Sequence, residues 1–418
     1  MTARKRLIRR CVACRRPAAE AFAAFCSCGA MVDVEYELEL AVIRNSSNPV
    51  ERFFDILPVA HPDLLQWDVP YTPCVHAKAL GRLLGMPHLY LKDETRLPSG
   101  STKDRMAHVA AAYLWESGVR HFCTSSTGNS STAYAHALAR FPEMKMALFT
   151  AEDFGDRVDY GTGEQVTPFV LRDATFVDAF NCAAQFSRDF GLISERGFFN
   201  PGRREGLKIA FLEATDQVPG TIDWYVQAVS SAMGVYGTYK GARELAAIGA
   251  ISRLPRLLCV QQDTCAPMVR AFEEGSGVIK PHHVVHRPSG IAKAILRGDP
   301  SRAYPYVHEM VVESGGTFTS VSEAQIREAR AMIEDYENVS PCFSASAAFA
   351  GLVRLVRENQ FPVRDTVVVN LTGRDRPARP AAPTVRYLVR NGERWVPEDP
   401  ATDVRHVLGS GPSLVAPE

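Results

Sequence analysis

The chain has no excess charge of either sign: 47 Lys+Arg face 47 Asp+Glu over 418 residues. There is accordingly no general basic field to attract nucleic acid. No run of 18 apolar residues occurs, so no membrane span is expected. Basic residues crowd the N-terminus before the first acid at Glu20, but no apolar core follows them, which argues against a secretory signal. No GxSxG, HExxH, Walker or GxGxxG motif is present, and no repeat with a period of 20–50 residues. The ten cysteines form no disulfide framework, which points to reduced thiols and a cytoplasmic protein. What is there is apolar surface in plenty, at 46% of residues, enough for a sizeable core.

From about residue 88 to 372 short β-branched runs alternate with helical patterns. Strands are expected at His88–Lys92, His121–Ser125, Lys145–Thr150, Trp224–Val229, Leu257–Gln261 and Thr366–Leu371. Helices are expected at Asp104–Ser117, Ser130–Phe141, Gly237–Ile248, Ser322–Tyr336 and Ser344–Glu358, with Gly118 closing the first. Such alternation predicts an α/β protein with mostly parallel sheets buried on both faces. In that architecture ligands bind beyond the carboxyl ends of strands. The two ends differ from this middle. Residues 1–36 hold four cysteines; after Arg374 comes the proline-rich stretch RDRPARPAAP, then two alternating runs around Asn391-Gly392, a hairpin signal. Residues after about 398 read as a frayed tail.

Four stretches at predicted strand ends could carry chemistry. In KDETRLPSGSTKDR, Lys103 opens a helix, where an ammonium is electrostatically misplaced, its neutral amine is favoured and a Schiff base becomes possible. In Thr124–Thr132, eight of nine side chains are hydroxyl or amide, more than one helix cap needs, which suits a carboxylate or phosphate. Ser230-Ser231-Ala232-Met233-Gly234 is a small-residue turn where an anion could approach N–H groups. Finally VVVNLTG ends a buried strand on Thr372. Each alone has an ordinary structural explanation.

Together, in this chain order, they resemble the fold-type-II pyridoxal-phosphate enzymes, and most closely the threonine synthase branch. KDETRLPSGSTKDR looks like that family's lysine loop, and SSTGN like its loop over cofactor and substrate carboxylate. SGIAKAILRGDP (289–300) resembles its "GI…GDP" segment, and PCFSASAAFAGL (341–352) its "SA…A" helix. The likeness covers about residues 8–375. It implies two three-layer αβα domains with pyridoxal 5'-phosphate between them. The implied division is a ribbon-like segment at 1–36, a larger cofactor domain at 37–106 and 209–376, a smaller mobile domain at 107–208, and an extension at 377–418.

Residue by residue, the resemblance gives Lys103 the cofactor and the α-proton, and Asn129 the phenolic oxygen of the pyridine ring. It gives Ser126, Thr127 and Ser130 the substrate carboxylate, Ser230 to Gly234 the cofactor phosphate, and Thr372 the ring nitrogen. The implied reaction is elimination and replacement on a small amino acid carrying a phosphate or acyl leaving group, within a homodimer. The phrase STKDRMA is also close to the lysine helix of cysteine synthases, which replace at Cβ of an activated serine. Three departures stand out: Ala232 and Met233 where glycines are expected, Leu97 where Asn is frequent, and Thr102 where Phe or Val is usual. They leave open a non-catalytic relative that only binds ligand.

Cys11, Cys14, Cys26 and Cys28 have the ligand types of a zinc ribbon, although the second pair is CxC where many relatives have CxxC. His282, His283 and His286 read as a solvated basic loop with no carboxylate at ligand spacing. Lys240 and Lys92 are the next candidates for the Schiff base should Lys103 fail.

Overall fold

In the computed structural model, residues 7–67, 71–161, 164–377, 384–409 and 414 are described. The expectation for the first six residues and most of the proline-rich stretch lies outside them. Three sheets organise the chain. The first is a two-stranded antiparallel ribbon, β1 (Ile8–Cys11) and β2 (Val32–Glu35).

The second has six strands in the order β11-β10-β9-β12-β4-β3. Its members are β3 (Cys74–His76), β4 (Leu89–Asp93), β9 (Trp224–Ala228), β10 (Arg256–Gln262), β11 (Thr317–Val321) and β12 (Val367–Leu371). All neighbours are parallel except β3 with β4. Strand β12 reads VVVNL and is buried at every position, as a strand covered on both faces must be.

The third sheet also has six strands, in the order β14-β13-β7-β6-β5-β8. These are β5 (His121–Ser125), β6 (Lys145–Ala151), β7 (Val166–Leu171), β8 (Ile193–Ser194) and the hairpin β13 (Arg386–Asn391) and β14 (Arg394–Pro397). The predicted hairpin therefore has a place: β13 runs parallel to β7 and extends the smaller sheet at its edge. The predicted fray after 398 is corrected up to residue 409, and beyond it the expectation falls almost wholly outside the described residues. A short helix at Val404–Leu408 is capped by Asp403 and buries Leu408 against this sheet's core.

The helices that contribute to the site are α1 (Lys103–Glu116), α2 (Asn129–Leu138), α3 (Phe176–Phe190), α4 (Pro201–Gln217), α5 (Met233–Ala247) and α6 (Phe343–Arg357). Gly118 follows α1 in the left-handed conformation expected of a closing glycine. Helix α4 is buried all round from Pro201 to Ala214 although it carries PGRREGLK. Its charges are paired: Arg203 with Glu195, Arg204 with Asp33, Lys208 with Glu205, and Glu213 with Lys92 and Arg105. Among the described residues no helix is long and apolar enough to cross a membrane.

Ribbon strand β2 is docked on α4 and α5. Arg204 donates to the Val32 carbonyl and the Asp33 carboxylate, Tyr236 Oη donates to Asp33, and Lys240 Nζ donates to the Val34 carbonyl. Burial would raise the Asp33 carboxyl, but Lys240 and Arg204 outweigh it and hold it at about 2.

Candidate active site

Ends of the two large sheets face one cavity of about 220 Å³, and all four stretches singled out in the sequence reach it. Lys103, Ser126, Thr127, Asn129, Ser130, Ser230, Ser231, Met233, Gly234 and Thr372 line it. Ala232 does not. It is 3% exposed, belongs to the apolar core, and takes a left-handed φ of 57° just before α5. It turns the chain rather than facing the ligand.

Lys103 is the first residue of α1. Burial, then the Arg203 guanidinium, lowers its amine from 10.5 to about 8. The expected direction is right, but its main cause is desolvation rather than the helix start. Lys92 and Lys240 are excluded as substitutes by their partners: Lys92 pairs with Glu213 at 2.5 Å, and Lys240 with Glu205 and Glu244. Both amines are thus spent on carboxylates, and at Lys240 Asp33, Glu205 and Glu244 outweigh burial and push the ammonium's pKa up.

The lysine loop is stitched to the end of β12. Thr102 N donates to the Thr372 carbonyl at 2.9 Å, Arg374 N to the Gly100 carbonyl at 2.9 Å, and Ser101 bridges Gly373. The Thr102 hydroxyl lines the cavity with no partner on the protein. Across the cavity, Ser126 Oγ accepts from Gly128 N and Ser131 N, both at 3.1 Å. The ordinary cap is therefore Ser126 itself, and its O–H proton remains the donor for an anion. Gly128 has φ 118°, and a Cβ there would lie 2.8 Å from the Arg157 carbonyl oxygen, so the turn requires glycine.

Helix α5 starts at Met233, with Ala232 between it and Ser231, and first-turn N–H groups have no partner inside a helix. Gly234 lies against the Gln227 side chain, 2.5 Å from where a Cβ would stand. Backbone therefore approaches the cavity at Gly234 despite the neighbouring Met233. Hydroxyls, open N–H groups and positive helix ends suit a phosphate, and an uncompensated buried amine suits an aldehyde. This donor set fits pyridoxal phosphate.

Several lining residues carry no signal in local sequence: Gln227, Glu195 with Arg203, and the cations Arg196, Lys293, Arg297 and Arg302. Lys293 and Arg297 come from SGIAKAILRGDP, and Cys342 and Ser344 from PCFSASAAFAGL, the segments that the family resemblance marks without assigning residues. Glu195 is engaged by Arg203, Tyr134 and Thr124. Arg297 has its pKa lowered by burial, only partly countered by Asp299.

Residues 68–373 match the family model described as "Pyridoxal-phosphate dependent enzyme". The chain belongs to that family. It is 28% identical over 385 residues to threonine synthase of Methanocaldococcus jannaschii, covering 88% of this chain and 92% of that one. It is 26% identical over 378 residues to cysteate synthase of Methanospirillum hungatei, covering 87% and 88%. The fold is shared with diaminopropionate ammonia lyase from Escherichia coli (TM-score 0.61, 15% identity, 75% and 86% covered). It is shared also with threonine deaminase isoform 2 from Solanum lycopersicum (TM-score 0.57, 18% identity, 73% and 84% covered). This pyridoxal-phosphate dependent enzyme is thus a threonine synthase-like lyase of fold type II, and its chemistry is elimination and replacement.

Elsewhere, the four N-terminal sulfurs converge, all within 4.8 Å of one another. Cys11–Cys28, Cys14–Cys26 and Cys14–Cys28 separations are 3.5, 3.6 and 3.7 Å. A tetrahedral zinc with bonds of about 2.3 Å asks for about 3.8 Å between sulfurs. The CxC spacing is accommodated by a turn in which Gly29, φ 86°, donates its N–H to the Cys26 carbonyl.

The histidine loop needs correction, because Glu274 is a carboxylate partner for both His282 and His283 and for Lys280. Lys280 N donates to His283 Nδ1 at 3.0 Å. That fixes the proton on Nε2, the atom a metal would need bare.

Proposed function

We propose that the enzyme takes a small amino acid with an anionic leaving group and forms threonine from O-phosphohomoserine, or acts on a specialised variant of that substrate. The observation that carries this is one shared cavity, in which the low-pKa Lys103 amine lies with a hydroxyl loop and four cations. Arg196, Lys293, Arg297 and Arg302 line it, while Glu195, the one lining acid among the described residues, is paired with Arg203. A half-buried guanidinium whose charge Asp299 only partly counters, as at Arg297, favours an anion of two charges over a neutral ester.

In this reading Lys103 holds the cofactor, Ser230, Ser231 and the start of α5 take its phosphate, and Thr372 and Asn129 face its ring nitrogen and phenolic oxygen. The bound cofactor supplies an electron sink that acidifies the substrate α-proton. Lys103 Nζ, with a pKa of about 8, takes and returns that proton near neutral pH. The Ser126 O–H, with Thr127 and Ser130, binds and orients the substrate carboxylate. The Arg203–Glu195 pair keeps a positive charge near Lys103 without offering it a competing carboxylate.

A second reading is β-replacement on an activated serine, supported by STKDRMA and by the similarity to cysteate synthase. Phosphate release should be assayed with O-phosphohomoserine, O-phosphoserine and O-acetylserine, and the products identified. Threonine formed from the first supports the proposal. Turnover confined to the serine esters supports the second reading, and no turnover with any supports a binding protein.

We extend the proposal to the larger frame. The division into a ribbon, a cofactor domain and a smaller mobile domain is supported by the three sheets, with the final hairpin now joined to the smaller unit. Zinc on Cys11, Cys14, Cys26 and Cys28 is supported by the sulfur separations. A cytoplasmic location is supported by ten free thiols, and a homodimer by the family resemblance, with sedimentation velocity as its check.

A further inference from the structure

We propose that Arg376 is a positioning residue that fixes the Asn129 amide, and so the hydrogen bond offered to the cofactor's phenolic oxygen. The inference rests on the reading that Asn129 faces that oxygen. Arg376 Nη2 donates to Asn129 Oδ1 at 2.8 Å and to the Arg157 carbonyl at 2.9 Å.

An asparagine amide presents an acceptor at one end and a donor at the other, and the two ends look alike in shape. A guanidinium has only donors, so the end facing Arg376 must be the oxygen. The Nδ2 hydrogens are then left for the other side of the amide. Asn129 lines the cavity with Lys103 and Thr372, so the arginine decides that the residue offers a donor there and not an acceptor. A phenolate oxygen is stabilised by a donor and repelled by a carbonyl.

The anchor of Arg376 is itself fixed. Arg374 N is bonded to the Gly100 carbonyl, and Asp375 pairs with Arg330 at 2.7 Å. Residues 372–376 thus belong to the lysine side of the cavity, whereas Asn129 opens α2 after β5 and Arg157 ends the short 3-10 helix after β6, both on the side of the smaller sheet. Gly128 lets the Asn129 turn press against Arg157 without a Cβ between them, which brings both acceptors within reach of one nitrogen. A single donor atom therefore joins the two sides of the site at the residue expected to touch the ring. Nothing in the local sequence of RDRPARPAAP marks this role.

The test is a double-mutant cycle on holoenzyme with Arg376→Gln, Asn129→Ala and both together. The readouts are the pH midpoint of the bound cofactor's visible band and the rate of cofactor loss. Arg376→Gln should move the midpoint by about half a pH unit and weaken cofactor retention about fivefold, roughly what one ordinary hydrogen bond supplies. In the Asn129→Ala background the same change should add nothing. A band and retention unchanged by Arg376→Gln, or effects that simply add, overturn the proposal. An unmoved band in Asn129→Ala instead removes the cofactor role of Asn129 on which the proposal stands. Should Arg376→Gln fail to fold, Arg376→Met, which has no donor, is judged by the same criteria.

Discussion

The backbone N–H of Thr102 donates to the carbonyl of Thr372 at 2.9 Å, and this bond sets the lysine helix against the end of the central strand. It joins residues that are 270 apart in sequence. Lys103 follows Thr102 directly, so its position relative to Thr372 is set by main chain. Side-chain chemistry at Thr372 is thereby separated from the geometry it helps to define.

Replacing Thr372 by Ala accordingly removes the hydroxyl and its methyl neighbour but leaves the main-chain bond in place. The expected outcome is a shifted visible band of the bound cofactor and lower turnover, with thermal stability within about 1 kcal/mol of wild type. Spectral titration with pyridoxal phosphate and a melting curve check this together. A wild-type spectrum and rate would take Thr372 out of the site.

Lys103→Met tests the buried amine in two ways. Borohydride treatment followed by peptide mapping should find no cofactor adduct in the variant. The apoprotein should also be stabilised. Because the folded pKa, about 8, lies below the unfolded one, burial of the charged form costs stability at low pH. That cost is fully present below pH 8 and disappears as pH rises toward 10.5. Near pH 7 the variant should gain on the order of 2 kcal/mol, and the two apoproteins should converge near pH 10.5. Equal stability at both pH values would mean the amine is solvated.

Strands β4, β5, β6, β9, β10 and β12 are legible because each is a short apolar run between turn signals, and the structure shifts their ends by only a residue or so. Helix α4 is not legible in the same way. Its RREGLK reads as a solvated face, and it is buried only because partners from distant segments neutralise it, such as Arg105 on Glu213 and Asp33 on Arg204. The same reason hides the cations of the cavity. Arg196, Arg297 and Arg302 are ordinary arginines until the fold brings them to one cavity. The loops with Lys103 and Asn129 could be found because several unusual residues are adjacent in each.

Ala232 supplies a test of the departure at the turn proposed to take the cofactor phosphate. Its φ of 57° costs a residue with a Cβ about 1 kcal/mol relative to glycine. Ala232→Gly should therefore stabilise the protein by roughly 0.5–1 kcal/mol, less whatever flexibility glycine adds to the unfolded chain. Since the side chain points into the core and not the cavity, turnover and substrate KM should stay as in wild type. A several-fold change in either would show that the methyl group shapes the phosphate turn.

The sulfur cluster predicts a metal-dependent stability that is remote from the chemistry. Cys11 pairs with Val32 across the ribbon, and the next residue, Asp33, is the one held by Arg204, Tyr236 and Lys240. A tetrahedral ion on the four thiolates would hold the start of that strand and, through it, the docking on α4 and α5. Cys11→Ser should lower zinc content from about one ion per chain to near zero. It should also lower the melting temperature by several degrees, with a smaller effect on turnover. A chelator should reproduce the drop in wild type and have no effect on the variant. Equal zinc in the two proteins would remove these cysteines as ligands. Equal melting temperatures with zinc lost would instead show that the Asp33 pairs dock the ribbon without help from the metal.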